Sequence, residues 1–202
     1  MQTQEYPQGA FVERTDTVLA KQVLSGDQEA FEILVRRYQT PLFNFICHFL
    51  GDYDTACDVL QQVFLRFYAS LPKLGLGPFK PWLFQVARNC CVDEIRRKQR
   101  SPLHFSQFEN SEGDLTGLAD IPDPGPLPEE AAERRDLQEV LQDAVLSLPP
   151  KFRSVVLLRY SSQMSYPEIG QVLSLPATTV KTYFYRGKLL LRKKLSARAT
   201  DP

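Results

Sequence analysis

Apolar residues recur at spacings of three and four through residues 16–100 and again through residues 129–195, a pattern that predicts helices. The first predicted helix spans Asp16–Leu24 and stops at Ser25-Gly26. Asp27 can cap the next, in which Ala30, Phe31, Leu34, Val35 and Tyr38 keep helical spacing. Thr40-Pro41 is expected to open a third, with Leu42, Phe45, Ile46 and Phe49 inward and Gly51 as its stop. Asp52 or Asp54 leads into a fourth, with an inward stripe of Ala56, Leu60, Val63, Phe64 and Phe67. The Gly/Pro-rich run LPKLGLGPFKP, residues 71–81, predicts a loop. A helix over residues 82–100 follows, with Leu83, Val86, Ala87, Cys90 and Ile95 inward and the basic run RRKQR at its end. Periodicity fades over residues 101–128, where Gly, Ser, acidic residues and five prolines predict a flexible linker. A linker that long inside one compact domain would be unusual, so it divides the chain in two. Helix returns at Glu129 and continues through Leu137, Val140, Leu141 and Val145. Pro149-Pro150 marks a turn before a short helix holding Val155, Val156 and Leu158. The expected fold class is all-α. It comprises two small helical domains, residues 16–100 and 129–196, joined by a flexible acidic linker over residues 101–128.

Residues 165–188, SYPEIGQVLSLPATTVKTYFYRGK, predict two short helices and a tight turn. Ser165 and Glu168 have the spacing of a capping box, with Pro167 in the first turn and Ile169, Val172 and Leu173 facing inward. Pro176 can stand at the start of the second helix, where its missing N–H is not needed. Val180, Phe184, Gly187, Leu191 and Leu195 then share one stripe. Thr182, Tyr185 and Arg186 fall on the opposite side, with Lys181 and Lys188 on its flank, while Leu189 faces outward without an evident role. A polar, cationic second helix behind a tight turn is the geometry that enters a DNA major groove. An ordinary helical hairpin with a solvated charged face is the competing reading.

Charge placement favours DNA. The chain is neutral overall, with 24 basic and 24 acidic residues, yet residues 101–150 hold 2 Lys/Arg against 11 Asp/Glu and residues 151–202 hold 10 against 2. Such asymmetry suggests a nucleic-acid-binding end behind an acidic connector. The composition, 43% hydrophobic and 24% charged, is that of a globular protein. No apolar run is long enough to insert in a membrane, and the N-terminus lacks a secretory pattern, so the expected location is the cytoplasm. Cys47, Cys57, Cys90 and Cys91 lack metal-ligand spacing and read as core thiols; no metal or other cofactor is expected. Phosphate-loop, dinucleotide, zinc-protease and nucleophile-elbow motifs are absent, and His48 and His104 stand in unrelated contexts. Asp93-Glu94 beside Arg96 and Arg97 reads as helix-surface ion pairing. Neither an active site nor a small-molecule substrate is expected.

Three segments carry a family resemblance. FKPWLFQVARNCCVDEIRRKQR, residues 79–100, resembles region 2.3–2.4 of bacterial RNA polymerase sigma factors of the extracytoplasmic-function family, with its F-x-x-W-L, A-R-N and D-x-x-R-R pattern. DVLQQVFLRFY, residues 58–68, resembles region 2.2. LPPKFRSVVLLRY and the helix–turn–helix after it resemble region 4, with its L-P-x-x-x-R, E-I-A and G-T-V-K-S-R pattern. The resemblance covers roughly residues 16–100 and 129–195, in order, around an unmatched linker.

It implies a transcription initiation factor that gives core RNA polymerase its promoter specificity. Asp58, Gln61, Gln62, Phe64 and Arg66 would then meet the largest polymerase subunits. Phe79, Lys80, Trp82, Arg88 and Asn89 would capture a flipped base of the −10 element, a task that needs aromatic surfaces and backbone-holding cations. Core packing competes for Trp82. Arg96, Arg97, Lys98 and Arg100 would touch phosphate. Thr178, Thr179, Lys181, Thr182, Tyr183, Tyr185, Arg186 and Lys188 would meet the −35 duplex. An anti-sigma protein is a further implied partner, and the acidic linker would thread toward the polymerase channel. The chain departs from the pattern at Gln62 (commonly Glu), Thr178 (Gly), Tyr183 (Arg), Gly170 and Gly187 (both Ala). Tyr183 in particular removes a guanidinium able to pair with guanine, which changes the bases that can be read. A free-standing helix–turn–helix regulator remains the alternative, although it would not need the segments at residues 58–68 and 79–100.

Overall fold

The computed structural model describes residues 14–76, 78–100 and 128–198, and every regular element among them is a helix. In chain order these are α1 (Asp16–Leu24), α2 (Gln28–Leu50), α3 (Tyr53–Leu74), α4 (Phe79–Arg100), α5 (Pro128–Leu146), α6 (Pro150–Tyr160), α7 (Tyr166–Leu173) and α8 (Ala177–Arg198).

The caps act where the sequence puts them. Asp27 accepts from the Ala30 N–H at 3.2 Å and Asp52 from the Thr55 N–H at 2.7 Å, each satisfying an amide that the first turn leaves unpaired. Gly51 ends α2 in the left-handed region, φ 73°, its N–H donating to the Cys47 carbonyl at 2.8 Å. Around these ends α2 packs on α1, α3 and α4. Phe45, Phe49, Phe67, Phe79 and Phe84 are all fully buried there. The Asp16 carboxylate accepts from both Arg37 and Tyr38, fastening α1 to α2. Burial, with Asp16 as acceptor, pushes the Tyr38 phenol far above its usual range.

Three expectations need correction. Pro41 does not open a helix, because α2 runs through it. Tyr38, Leu42, Phe45 and Ile46 are buried on both sides of the proline, and that packing outweighs one lost backbone hydrogen bond. The loop expected over residues 71–81 is shorter, since α3 runs to Leu74 and α4 begins at Phe79: Leu71 and Phe79 are each 1% exposed and draw the ends of the two helices into the core. The inward stripes shift as well. Leu60, Phe64, Val86 and Ile95 are half-buried, whereas Phe84 and Cys91 are completely enclosed. Residues 101–127 of the expected linker lie outside the described residues.

In the second group α8 packs on α5, α6 and α7. Residues 152–158 of α6 are buried without a break, since α6 also lies against α2. Leu137 and Leu141 of α5, part of its periodic pattern, face solvent at 67% and 48% exposure. The two groups meet where α2 contacts α5 and α6 and where α4 contacts α7. Arg153 is the centre of the first contact. Its guanidinium donates to the carbonyls of Phe49 (2.6 Å), Leu148 (3.1 Å) and Leu146, and stands 5.3 Å from the centre of the Phe49 ring. His48 Nδ1 and Gln142 Oε1 are 2.9 Å apart, and a Cβ on Gly51 would come within 2.5 Å of Leu146.

Replacing Arg153 by Met keeps the aliphatic stem but removes every donor. Hydrogen bonds from a charged group are worth about 1.5–3 kcal/mol each, partly recovered by water, so the expected loss is about 2–3 kcal/mol. Urea denaturation of the full chain measures it; an unchanged midpoint would refute the role assigned to Arg153.

Candidate nucleic-acid and polymerase interfaces

The helix–turn–helix is built from local chemistry. Ser165 Oγ accepts from the Glu168 N–H at 3.4 Å, and the Glu168 carboxylate accepts from the Ser165 N–H at 2.7 Å, completing the capping box. Ser174 takes a left-handed conformation, φ 53°, and the chain turns back so that the Leu175 N–H donates to the Gly170 carbonyl at 2.9 Å. At Gly170 a Cβ would stand 2.7 Å from the Leu175 carbonyl oxygen, so the absence of a side chain permits this close turn. Pro176 precedes the first residue of α8, its carbonyl accepting from the Val180 N–H at 3.1 Å.

On α8, Val180, Phe184 and Gly187 point inward, and Gly187 lets the helix close on Val156 and Phe152. Leu191 and Leu195 are half-buried. Thr178, Lys181, Thr182, Tyr185, Arg186 and Lys188 are exposed on the outer side, and Leu189 joins them at 68% exposure. Thr182 Oγ1 donates back to the Thr178 carbonyl at 3.0 Å. Thr179 and Tyr183 lie at the edge, half-buried. Tyr183 packs edge-on against Phe152, ring centres 5.5 Å apart, so its ring is engaged at the edge of α8. Lys151, given no role by the sequence, holds its ammonium 5.0 Å from the centre of the Phe152 ring and 5.9 Å from that of Tyr183.

The basic face of α4 is less open. Phe79, expected to meet a base, is instead a core residue, 5.2 Å from Phe67 between ring centres. Trp82 is half-buried, 5.9 Å from Phe67, which joins it to the core on one side. Lys80 Nζ donates to the Ser162 carbonyl at 3.3 Å across the contact with α7. Arg88 is half-buried and donates to Asn89 Oδ1 at 3.1 Å; burial lowers its pKa, with Arg96 adding to the effect. Asn89, Arg96, Arg97, Lys98 and Arg100 are exposed. Arg96 lies 3.6 Å from Asp93 and Arg97 2.8 Å from Glu94, the expected ion pairs; the first is exposed on both sides and correspondingly weak, whereas Glu94 is largely covered.

On α3, Asp58, Gln61, Gln62 and Arg66 are exposed and Phe64 is half-buried. Leu65 and Tyr68 join this surface at 65% and 59% exposure. Both fall off the inward spacing of Ala56, Val63 and Phe67, which is the sequence signal for outward-facing apolar residues here. Cys47, Cys90 and Cys91 are buried, and burial pushes each thiol up; Cys57 is exposed and is not a core thiol. Among the described residues no cluster of His, Cys, Asp and Glu could hold a metal, and no helix is long and apolar enough to cross a membrane.

Comparison with known proteins matches these two helical groups separately. Residues 34–101 match the family model of Sigma-70 region 2, and residues 138–191 match that of Sigma-70, region 4. The chain is 36% identical over 176 residues to the ECF RNA polymerase sigma factor SigW of Bacillus subtilis, covering 87% of this chain and 94% of that protein. It is 30% identical to the ECF RNA polymerase sigma-E factor of Escherichia coli over 188 residues, 90% of this chain and 94% of that one. Among solved structures, CnrH in complex with the cytosolic domain of CnrY superposes with a TM-score of 0.67 at 26% identity, over 90% of this chain and 97% of that one. The chain belongs to the extracytoplasmic-function family of RNA polymerase sigma factors. It is an alternative sigma factor, directing transcription initiation through helical region 2 and region 4 folds.

The capping box is expected to give the stability of the helix–turn–helix an acid-dependent part. Hydrogen bonds from Ser165, with a smaller pull from Lys80, hold the Glu168 carboxyl below its ordinary range. Its contribution is fully present above the unfolded carboxylate range and is lost as pH falls through the lower folded value. Ser165→Ala is therefore expected to reduce the acid dependence of stability, read from denaturation midpoints across pH 3–6 (about the carboxylate range).

Proposed function

We propose that residues 16–100 dock on core RNA polymerase and open the −10 element, that residues 129–196 read the −35 element, and that residues 101–128 connect them. The observation that carries this reading is the outer face of α8, where Thr178, Lys181, Thr182, Tyr185, Arg186 and Lys188 are all exposed beyond a tightly closed turn. Polar side chains at its centre can pair with base edges in the major groove, and cations at its edges can meet phosphate. Thr182 and Tyr185 supply base selectivity in this arrangement, while Lys181 and Arg186 fix the register.

On α3, Asp58, Gln61, Gln62 and Arg66, with Leu65 and Tyr68, form a mixed polar and apolar surface suited to a polymerase subunit. On α4, Trp82, Arg88 and Asn89 with Arg96, Arg97, Lys98 and Arg100 form the single-strand face. Phe79 supports Trp82 through Phe67 and does not touch DNA. Lys80 reaches DNA only after giving up Ser162. The chain performs no catalysis and needs no metal or cofactor; its site is the cytoplasm. The solved neighbours CnrH and RpoE are held by the cytosolic domain of CnrY and by the anti-sigma factor NepR, and a comparable anti-sigma protein is the proposed regulator here.

Run-off transcription with purified core polymerase on genomic promoters tests the whole reading; no promoter-specific transcript would overturn it. Changing Gln61 and Gln62 together to Lys is expected to abolish co-purification with polymerase, at a stability change of about 0.5 kcal/mol or less per exposed site. Undiminished co-purification would remove α3 from the docking surface. Lys181→Ala and Arg186→Ala are each expected to weaken binding to the upstream duplex of a mapped promoter. The effect should extend to all sequences and lower the salt slope by about one for a phosphate contact.

A further inference from the structure

The cations on the two edges of α8 are unequally supplied. At 100° per residue, with Val180 and Gly187 inward, Lys181 and Lys188 fall on one edge and Thr179, Tyr183 and Arg186 on the other. A helix lying in the major groove has a sugar–phosphate strand along each side, so both edges need positive charge. Tyr183, where the family pattern has Arg, leaves its edge one cation short. The Lys151 ammonium stands above that ring, 5.9 Å from its centre, and 5.0 Å from the ring of Phe152. Lys151 reaches this edge from the first turn of α6, and its side chain is exposed. Among the described residues no carboxylate pairs with it.

We propose that Lys151 is a DNA-phosphate contact of the −35 interface, held in place by the rings of Phe152 and Tyr183 and serving the edge of α8 that Lys181 and Lys188 do not reach. The proposal rests on α8 being the helix that enters the groove. Both rings present their negative faces to the ammonium within the range of a cation–π interaction. A lysine positioned in this way loses less side-chain freedom on meeting phosphate than a free one would. The residue type at 183 is thereby tied to that at 151: an aromatic at 183 positions a lysine from α6, and an arginine at 183 would carry the charge itself. Phe152 and Tyr183 act as positioning residues, and Lys151 makes the contact.

The test uses the full chain, the upstream duplex of a promoter mapped by run-off transcription, and an unrelated duplex of equal length. Binding is titrated against salt. Lys151→Met keeps the stem on the rings and removes the charge. It is expected to weaken binding to both duplexes alike and to lower the salt slope by about one, with the thermal melt unchanged. Lys151→Arg is expected to bind like the parent, and Lys151→Met with Tyr183→Arg to regain the lost slope. If Lys151→Met binds both duplexes like the parent while Lys181→Ala and Arg186→Ala weaken, Lys151 is not a contact and the α8 reading stands. If all three variants bind like the parent, α8 is not the groove helix and the proposal falls with that reading. Weakening by Lys151→Met on the promoter duplex alone also overturns it, since a phosphate contact does not discriminate sequence.

Discussion

A guanidinium buried without a carboxylate holds the two halves of this sigma factor together. Arg153 is 8% exposed, and burying an unpaired cation costs several kcal/mol unless other groups replace its water. The replacements are the carbonyls of Phe49, Leu146 and Leu148, with the Phe49 ring alongside. Phe49 lies in the last turn of α2, Leu146 is the last residue of α5, and Leu148 follows it. Helix C-termini concentrate partial negative charge and leave carbonyls unpaired. One cation thus completes the ends of two helices from different halves of the chain. Other close fits lie along the same seam: Leu146 over Gly51, Gln142 against His48, and Cys91 enclosed nearby, its thiol pushed up by burial.

What was legible in the sequence were features closed within a few residues. Asp27, Gly51, Asp52 and the Ser165–Glu168 box each name a helix end because donor and acceptor lie within one turn. Pro41 and residues 71–81 misled because a proline's penalty is local, while the burial that overrides it comes from distant helices. The same limit hid Arg153, whose partner Phe49 lies 104 residues away, and the unbroken burial of α6 between α8 and α2. At the candidate sites, residue type was legible and availability was not. An aromatic beside a Gly/Pro-rich segment can wait for a base or fill a core, and only the position of Phe67 decides that Phe79 does the latter. Tyr183 in the sequence signals only a lost guanidinium; its ring is part of a stack, visible once α6 and α8 are placed together.

The two faces proposed to meet nucleic acid also differ in how they are held. The angle between α7 and α8 is set by backbone meeting backbone at Gly170 and Leu175, beneath the exposed outer face of α8. Substitutions at Thr178, Thr182 or Tyr185, residues proposed to meet the −35 duplex, leave that angle untouched because none of them takes part in the turn. The face of α4 has no such independence. Lys80 is shared with Ser162 of the other half, and α7 lies against α4.

That sharing gives ionic strength an unequal influence. Among the described residues no ion pair within 4 Å spans the two halves; apart from a small attraction between Lys80 and Glu168, the seam rests on cations donating to neutral carbonyls and on close packing. Dissolved salt screens charge against charge over about 8–10 Å and barely weakens a buried hydrogen bond to a peptide oxygen. Promoter binding, which releases counterions, weakens steeply over the same range. Rising salt thus leaves the folded-together chain intact while drawing it off DNA. Ionic strength therefore acts first on any contact the chain makes to phosphate and only later on the seam between its halves.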